Sequence, residues 1–152
     1  MLTQELVVRM GRARTALQDL DANVTVTALA KSSRLSRSQF IARYRAVFGD
    51  TPHQTRIGAR LERAKWLLAT SELSVTDICM AVGFSSLGSF SHQFRVRCGE
   101  PPARFRKRMA THDESTRAAL LRPHCAPLMS AAWSTPYFSR STNVGEPLES
   151  VV

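Results

Sequence analysis

The sequence predicts an all-α protein: two helix-turn-helix units joined by a long connecting helix, about seven helices in all, followed by a largely irregular C-terminal tail. Three observations carry that prediction. The first is an internal repeat. Phe40, Tyr44, Arg45, Gly49, Asp50, Thr51 and Pro52 recur fifty residues later as Phe90, Phe94, Arg95, Gly99, Glu100, Pro101 and Pro102, with four pairs identical and two exchanged like for like. The second is that each copy follows a short apolar stretch and a turn, so the repeated unit reads as helix, turn, helix. The third is charge: 21 Lys and Arg stand against 12 Asp and Glu, a formal net charge of +9 with a pI near 10.7. So basic a chain suits a polyanion, and paired helix-turn-helix units point to double-stranded DNA.

A first helix is expected from about Gln4 to Asp19, capped by Thr3, with Leu6, Met10, Ala13, Leu17 and Leu20 along one stripe. The first unit, about residues 24–49, opens with a short helix over Val26 to Ser33 and points Leu29 and Ala30 inward. It turns at Arg34 and Leu35, and Ser36 caps its second helix. Phe40, Tyr44 and Val47 form the inner face of that helix, and Gly49 ends it in a left-handed conformation. Thr51 and Pro52 are a cap and first-turn pair that opens the connecting helix, about 51–69. Its apolar stripe is Ile57, Leu61, Ala64 and Leu68, with Arg60, Arg63 and Lys65 outside. The second unit, about 74–99, starts with Ser74 and Asp77 spaced as a capping box and packs Ile78, Cys79 and Val82 inward. Gly83 makes its turn, Ser85 or Ser86 opens its second helix, and Phe90, Phe94 and Cys98 form the buried stripe. A short helix from Pro102 to about Met109 puts Phe105 inward and Arg104, Arg106, Lys107 and Arg108 outward.

These elements delimit a domain of residues 1–110, which holds 18 Lys and Arg against 8 Asp and Glu; residues 111–152 hold 3 and 4. The basic surface is therefore expected within the repeat. Of the last 42 residues, 14 are Ser, Thr or Pro, and periodicity fades after a short helix from Asp113 to Leu121. This 111–152 tail is expected to be partly disordered, with Leu128, Met129, Trp133, Tyr137 and Phe138 available to dock a segment of it.

Other chemistries find little support. Cys79, Cys98 and Cys125 are odd in number and lack CxxC spacing, so they read as reduced thiols rather than a disulfide or zinc framework. Cys79 and Cys98 sit on apolar stripes as core residues, and His112, His124 and Cys125 lack a fourth ligand, so no metal and no cofactor is expected. Gln4, Glu5 and Arg9 interrupt the first ten residues, and no apolar run approaches a membrane span, so a cytoplasmic location without membrane contact is expected. No phosphate loop, nucleophile elbow or carboxylate pair suggests an enzyme.

The two copies, LAKSSRLSRSQFIARYRAVFGDTP and ICMAVGFSSLGSFSHQFRVRCGEPP, with ARLERAKWLL between them, resemble the paired helix-turn-helix units and connecting helix of the AraC/XylS family of bacterial transcription regulators. The resemblance covers roughly residues 4 to 108. It implies an all-helical DNA-binding domain whose two recognition helices enter successive major-groove segments on one face of the duplex. It also implies regulation of transcription, more commonly activation through contact with RNA polymerase. Many family members add a ligand-sensing domain, and no small-molecule effector domain is evident in these 152 residues.

Helical geometry gives the candidate contacts independently. With Phe40 and Tyr44 inward, the first recognition helix presents Ser38, Ile41, Ala42 and Arg45; with Phe90 and Phe94 inward, the second presents Leu87, Gly88, Ser91, His92 and Arg95. Arg37, Arg45 and Arg95 are long enough for phosphate or a guanine edge, whereas Ile41, Ala42 and Leu87 sense thymine methyls and shape. The chain departs from the family pattern in three places. Ala42 and His92 stand where Arg is frequent, Arg34 occupies the turn position of Gly83, and Thr55 takes the aromatic position of Phe105. The first unit is thus expected to be poorer in base-reading donors and less tightly packed. The sequence-level function is a monomeric regulator on an asymmetric promoter site. The alternative is an accessory modulator that pairs with another regulator through its first helix or apolar tail.

Overall fold

The computed structural model describes residues 3–121. Among them are eight helices and no strand: α1 (Gln4–Gln18), α2 (Val26–Ser32), α3 (Arg37–Phe48), α4 (Pro52–Thr70), α5 (Val75–Ala81), α6 (Leu87–Cys98), α7 (Pro102–Ala110) and α8 (Glu114–Leu120). The eighth is the short helix expected at the start of the tail; the rest of the tail, with His124, Cys125 and Trp133, lies outside the described residues. The chain divides within α4 into two compact units, one running to Ile57 and the other from Gly58.

In the first unit, α3 packs on α1 and α2 around Leu6, Met10, Ala13, Leu17, Leu29, Ala30, Phe40 and Tyr44. The Thr3 hydroxyl accepts from the Leu6 amide at 3.3 Å, as a cap should. Leu20 is not on the buried stripe. The helix stops at Gln18, Asp19 takes extended geometry and accepts the Asp21 amide at 3.0 Å, and Leu20 is left exposed.

In the second unit, α6 packs on α5 and α7, and Ile78, Cys79, Val82, Phe84, Phe90, Phe94, Phe105 and Met109 are buried. Ser86 is the cap of α6. At Ser74 the capping box is altered: the Ser74 hydroxyl accepts the Asp77 amide at 3.0 Å but donates to the Asp77 carboxylate at 2.6 Å. Asp, one methylene shorter than Glu, engages the hydroxyl. Lys65 corrects the expected outer face of α4. It is buried, with Nζ 3.0 Å from Glu62 Oε2, because the carboxylate one turn away neutralises it.

The repeat reaches further than its motif. Leu6, Met10, Ala13 and Leu17 of α1 are matched at a spacing of 51 by Ile57, Leu61, Ala64 and Leu68 of α4, and all eight are buried. Arg56 donates to the Val24 carbonyl and Arg106 to the Leu73 carbonyl, in each case the residue before an N-cap, Thr25 or Ser74. Each unit thus ties the helix that follows α3 or α6 back to the start of its helix-turn-helix.

Candidate nucleic-acid interface

Both turns require a left-handed residue. In the first, Arg34 has φ 57° and the Leu35 amide reaches the Ala30 carbonyl at 3.0 Å; in the second, Gly83 has φ 91° and the Phe84 amide reaches Cys79 at 3.0 Å. These bonds close off α2 and α5 and redirect the chain into α3 and α6. Each of those helices then starts at a serine cap, Ser36 or Ser86, and ends at a left-handed glycine, Gly49 or Gly99, both with φ 80°. Ser36 makes a full capping box with Gln39, whereas Ser86 faces Ser89, whose short hydroxymethyl cannot complete one.

The two helices sort their side chains alike. Phe40 and Tyr44, like Phe90 and Phe94, are buried; Ser38, Ala42 and Arg45, like Gly88, His92 and Arg95, are exposed. Arg37 and Leu87, at the first helical position, are also exposed. Ile41 and Ser91 are half-buried instead of fully outward, because they lie about 100° from the core-facing residue that precedes each. A Cβ at Gly88 would meet only Ser86 Oγ, at 3.7 Å, so packing does not demand glycine there. Neither helix contains an acidic residue, and the side chains of Arg45 and Arg95 make no hydrogen bond or ion pair among the described residues. The result is two basic, acid-free helix faces, the chemistry that phosphate-flanked grooves reward.

Sequence reasoning missed three exposed positions. Ala46 and Val96 lie one turn beyond Ala42 and His92 on the same stripe, and Val96 is 47% exposed. Arg43 is exposed as well. Helical spacing alone would have found Ala46 and Val96; the orientation of Arg43 follows from where the core centres on α3. Of the basic residues on α7, Arg104 and Lys107 are exposed. Arg108 is drawn to Glu100 at 2.6 Å and over Phe105, and Arg106 is half-buried by its carbonyl bond. Among the described residues no helix is long and apolar enough to cross a membrane, and no group of three or more His, Cys, Asp or Glu could hold a metal ion.

A family model described as a helix-turn-helix domain matches residues 29–108, more than half of the chain. The chain belongs to the AraC/XylS family. Among its AraC/XylS relatives is the probable transcriptional regulator LumQ of Photobacterium leiognathi, 36% identical over 88 residues, a match covering 58% of this chain and 36% of LumQ. The MmsAB operon regulatory protein of Pseudomonas aeruginosa is 34% identical over 92 residues, covering 60% and 30% of the two chains. The matched region therefore spans about a third of the length of these relatives. The solved DNA-binding domain of AdpA, a global transcriptional factor in complex with a target DNA, superposes with a TM-score of 0.54 at 28% identity. That superposition covers 80% of this chain and all of that one. The AraC-type domain here thus includes both helix-turn-helix units.

Proposed function

We propose that the chain is a sequence-specific transcription regulator that binds an asymmetric promoter site as a monomer, with α3 and α6 each in a major-groove segment. The observation that carries this reading is the duplicate construction of α3 and α6. Each is capped by serine and stopped by glycine, buries two aromatic residues, and among the described residues presents an exposed arginine, Arg45 or Arg95, on its outer face. A single groove-reading helix would normally be paired by dimer symmetry; a chain carrying two in sequence does not need a twofold site. The base-edge contacts assigned here are Ser38, Ile41, Ala42, Leu87, Gly88, Ser91 and His92, with Arg37, Arg45 and Arg95 on phosphate or base. Activation through RNA polymerase is the regulatory mode proposed, and residues 1–110 are the proposed DNA-binding domain.

Selection of bound sequences from a random duplex pool tests this. Two non-identical blocks of preferred bases about one helical turn apart are expected, with a complex mass of one protein per duplex. A palindromic consensus, two protein chains per site, or no enrichment would overturn the proposal.

A further inference from the structure

Arg97, in the last turn of α6, is half-buried, and its Nε donates to Glu62 Oε1 at 3.2 Å. The other oxygen of the same carboxylate takes Lys65 at 3.0 Å. The Arg97 guanidinium also lies across Gly58, where a Cβ would come within 3.1 Å of Nη1. Residues 58, 62 and 65 are spaced by 4 and 3, one face of α4, so the Arg97 side chain is received by Gly58 and Glu62 while Lys65, one turn on, holds the second oxygen of the same carboxylate. A part-buried ion pair of this kind contributes modestly to stability, and removing Arg97 leaves the half-buried Glu62 carboxylate with Lys65 alone.

The first unit lacks the parts for such a lock. Val47 stands in the place of Arg97, and the α1 counterparts of Gly58, Glu62 and Lys65 are Val7, Gly11 and Arg14. No carboxylate is available there, and Arg14 lies over the Phe48 ring instead, 4.7 Å from its centroid. His92 is about 1.4 turns from Arg97 on the same helix, so the angle of α6 set at α4 also sets the aim of His92. Recognition tolerates misalignment of only roughly 10–20°.

We propose that Arg97 is the positioning residue of the second recognition helix, locking α6 on α4 so that its outer face meets bases at a fixed angle; this rests on the reading of α6 as a base-reading helix. The test uses the full chain as wild type, Arg97→Gln, Arg97→Lys and Gly58→Ala. Gly58→Ala keeps every charge and only crowds the guanidinium. Binding is measured on the preferred duplex and on duplexes altered in one block at a time, at several salt concentrations. The α6 block is assigned as the one where Ser91→Ala/His92→Ala relaxes preference.

Arg97→Gln and Gly58→Ala are expected to lower discrimination at the α6 block about five- to tenfold, the low end of what one well-made base contact supplies. Discrimination at the other block and the salt slope should not change, and Arg97→Lys should recover part of the loss. Intact discrimination in both variants overturns the proposal, as does equal weakening at both blocks with the salt slope reduced by about one, which would make Arg97 a phosphate contact. If wild type itself shows no preference at any block relaxed by the double variant, the base-reading role of α6 fails and the lock fails with it. The wild-type measurement tells that case apart.

Discussion

The hydroxyl oxygens of Tyr44 and Thr55 lie 3.0 Å apart in the buried interior of the first unit, at the position where the second unit sets Phe94 edge-on to Phe105 with ring centroids 5.5 Å apart. The first unit has replaced an aromatic pair by a hydrogen-bonded one. The absence of an aromatic at 55 does not leave the site loose: Thr55 is buried, and the Phe48 ring packs on Tyr44 with centroids 4.7 Å apart.

That substitution makes the pair interdependent. Tyr44→Phe is expected to cost about 1–2 kcal/mol by leaving the buried Thr55 hydroxyl without its partner, and Thr55→Val a similar amount by stranding Tyr44. Together the two changes should cost less than their sum, since no polar group is left to satisfy. Urea unfolding of the four proteins gives the coupling directly; additive losses would mean the hydroxyls do not depend on each other.

Arg34 pays a local cost where Gly83 pays none, because a left-handed backbone brings a side chain's Cβ against the following carbonyl. Arg34→Gly should therefore raise stability by on the order of 0.5 kcal/mol, the relief of strain exceeding the entropy that glycine adds to the unfolded chain. Gly83→Ala should lower it by about 1–2 kcal/mol, with the Arg60 side chain 3.3 Å from the new Cβ adding to the strain. Denaturation midpoints of the two variants check both signs.

Much of this was legible because the signals are local. Serine caps, the glycines at 49 and 99, and aromatic residues spaced by four act within one turn, so the sequence around α3 and α6 sufficed to place their faces. The kinship of α1 with α4 was hidden because its stripe conserves burial but not identity: Leu6 against Ile57 and Met10 against Leu61 share volume and apolarity only. Lys65 was unreadable for a different reason. A lysine beside Arg63 looks like surface charge, and its burial depends on Glu62, a carboxylate also held by Arg97 from 35 residues away. Ile41 and Ser91 fell between categories because a helix face has flanks, and two-sided sorting assigns a flank to one side or the other.

Burial pushes the Cys98 thiol up from its ordinary 9.0 to about 11, by desolvation that the nearby Lys65 and Arg97 only partly offset. The raised value means the folded state holds its proton more tightly than the unfolded one. The stabilisation is therefore fully present below pH 9 and is lost as pH rises through about 11. Cys98→Ala should flatten the decline in stability between pH 9 and 10; Tyr44, also raised by burial, contributes its own loss above its ordinary 10.0. In a Cys125→Ser background, alkylation of Cys98 below pH 9 should run about a hundredfold slower than that of a model thiol, following its smaller thiolate population.

α8 buries no residue of its own, and the exposed basic residues of the repeat end with α7. A chain stopped after Ala110 is accordingly expected to fold and to bind duplex DNA with unchanged affinity at matched salt. Met109, fully buried, is the last buried residue among those described. Insolubility of the truncated chain, or loss of binding, would move the domain boundary into the tail.

The two recognition helices should contribute unequally, and His92 and Arg45 separate their roles. His92 is exposed in the middle of α6 and carries a hydrogen-bonding edge on a short, stiff side chain, whereas its counterpart Ala42 has none. Arg45, longer and nearer the end of its helix, is placed to grip phosphate. His92→Ala is expected to cost about 1–3 kcal/mol on the preferred site and to relax preference at one base pair. Arg45→Ala should weaken all sequences alike and lower the salt slope by about one. Binding constants on preferred and scrambled duplexes across a salt series distinguish the two. If His92→Ala loses equally on both duplexes, base reading by α6 passes to Ser91, Arg95 and the exposed Leu87 and Val96, whose apolar surfaces register thymine methyls and groove shape.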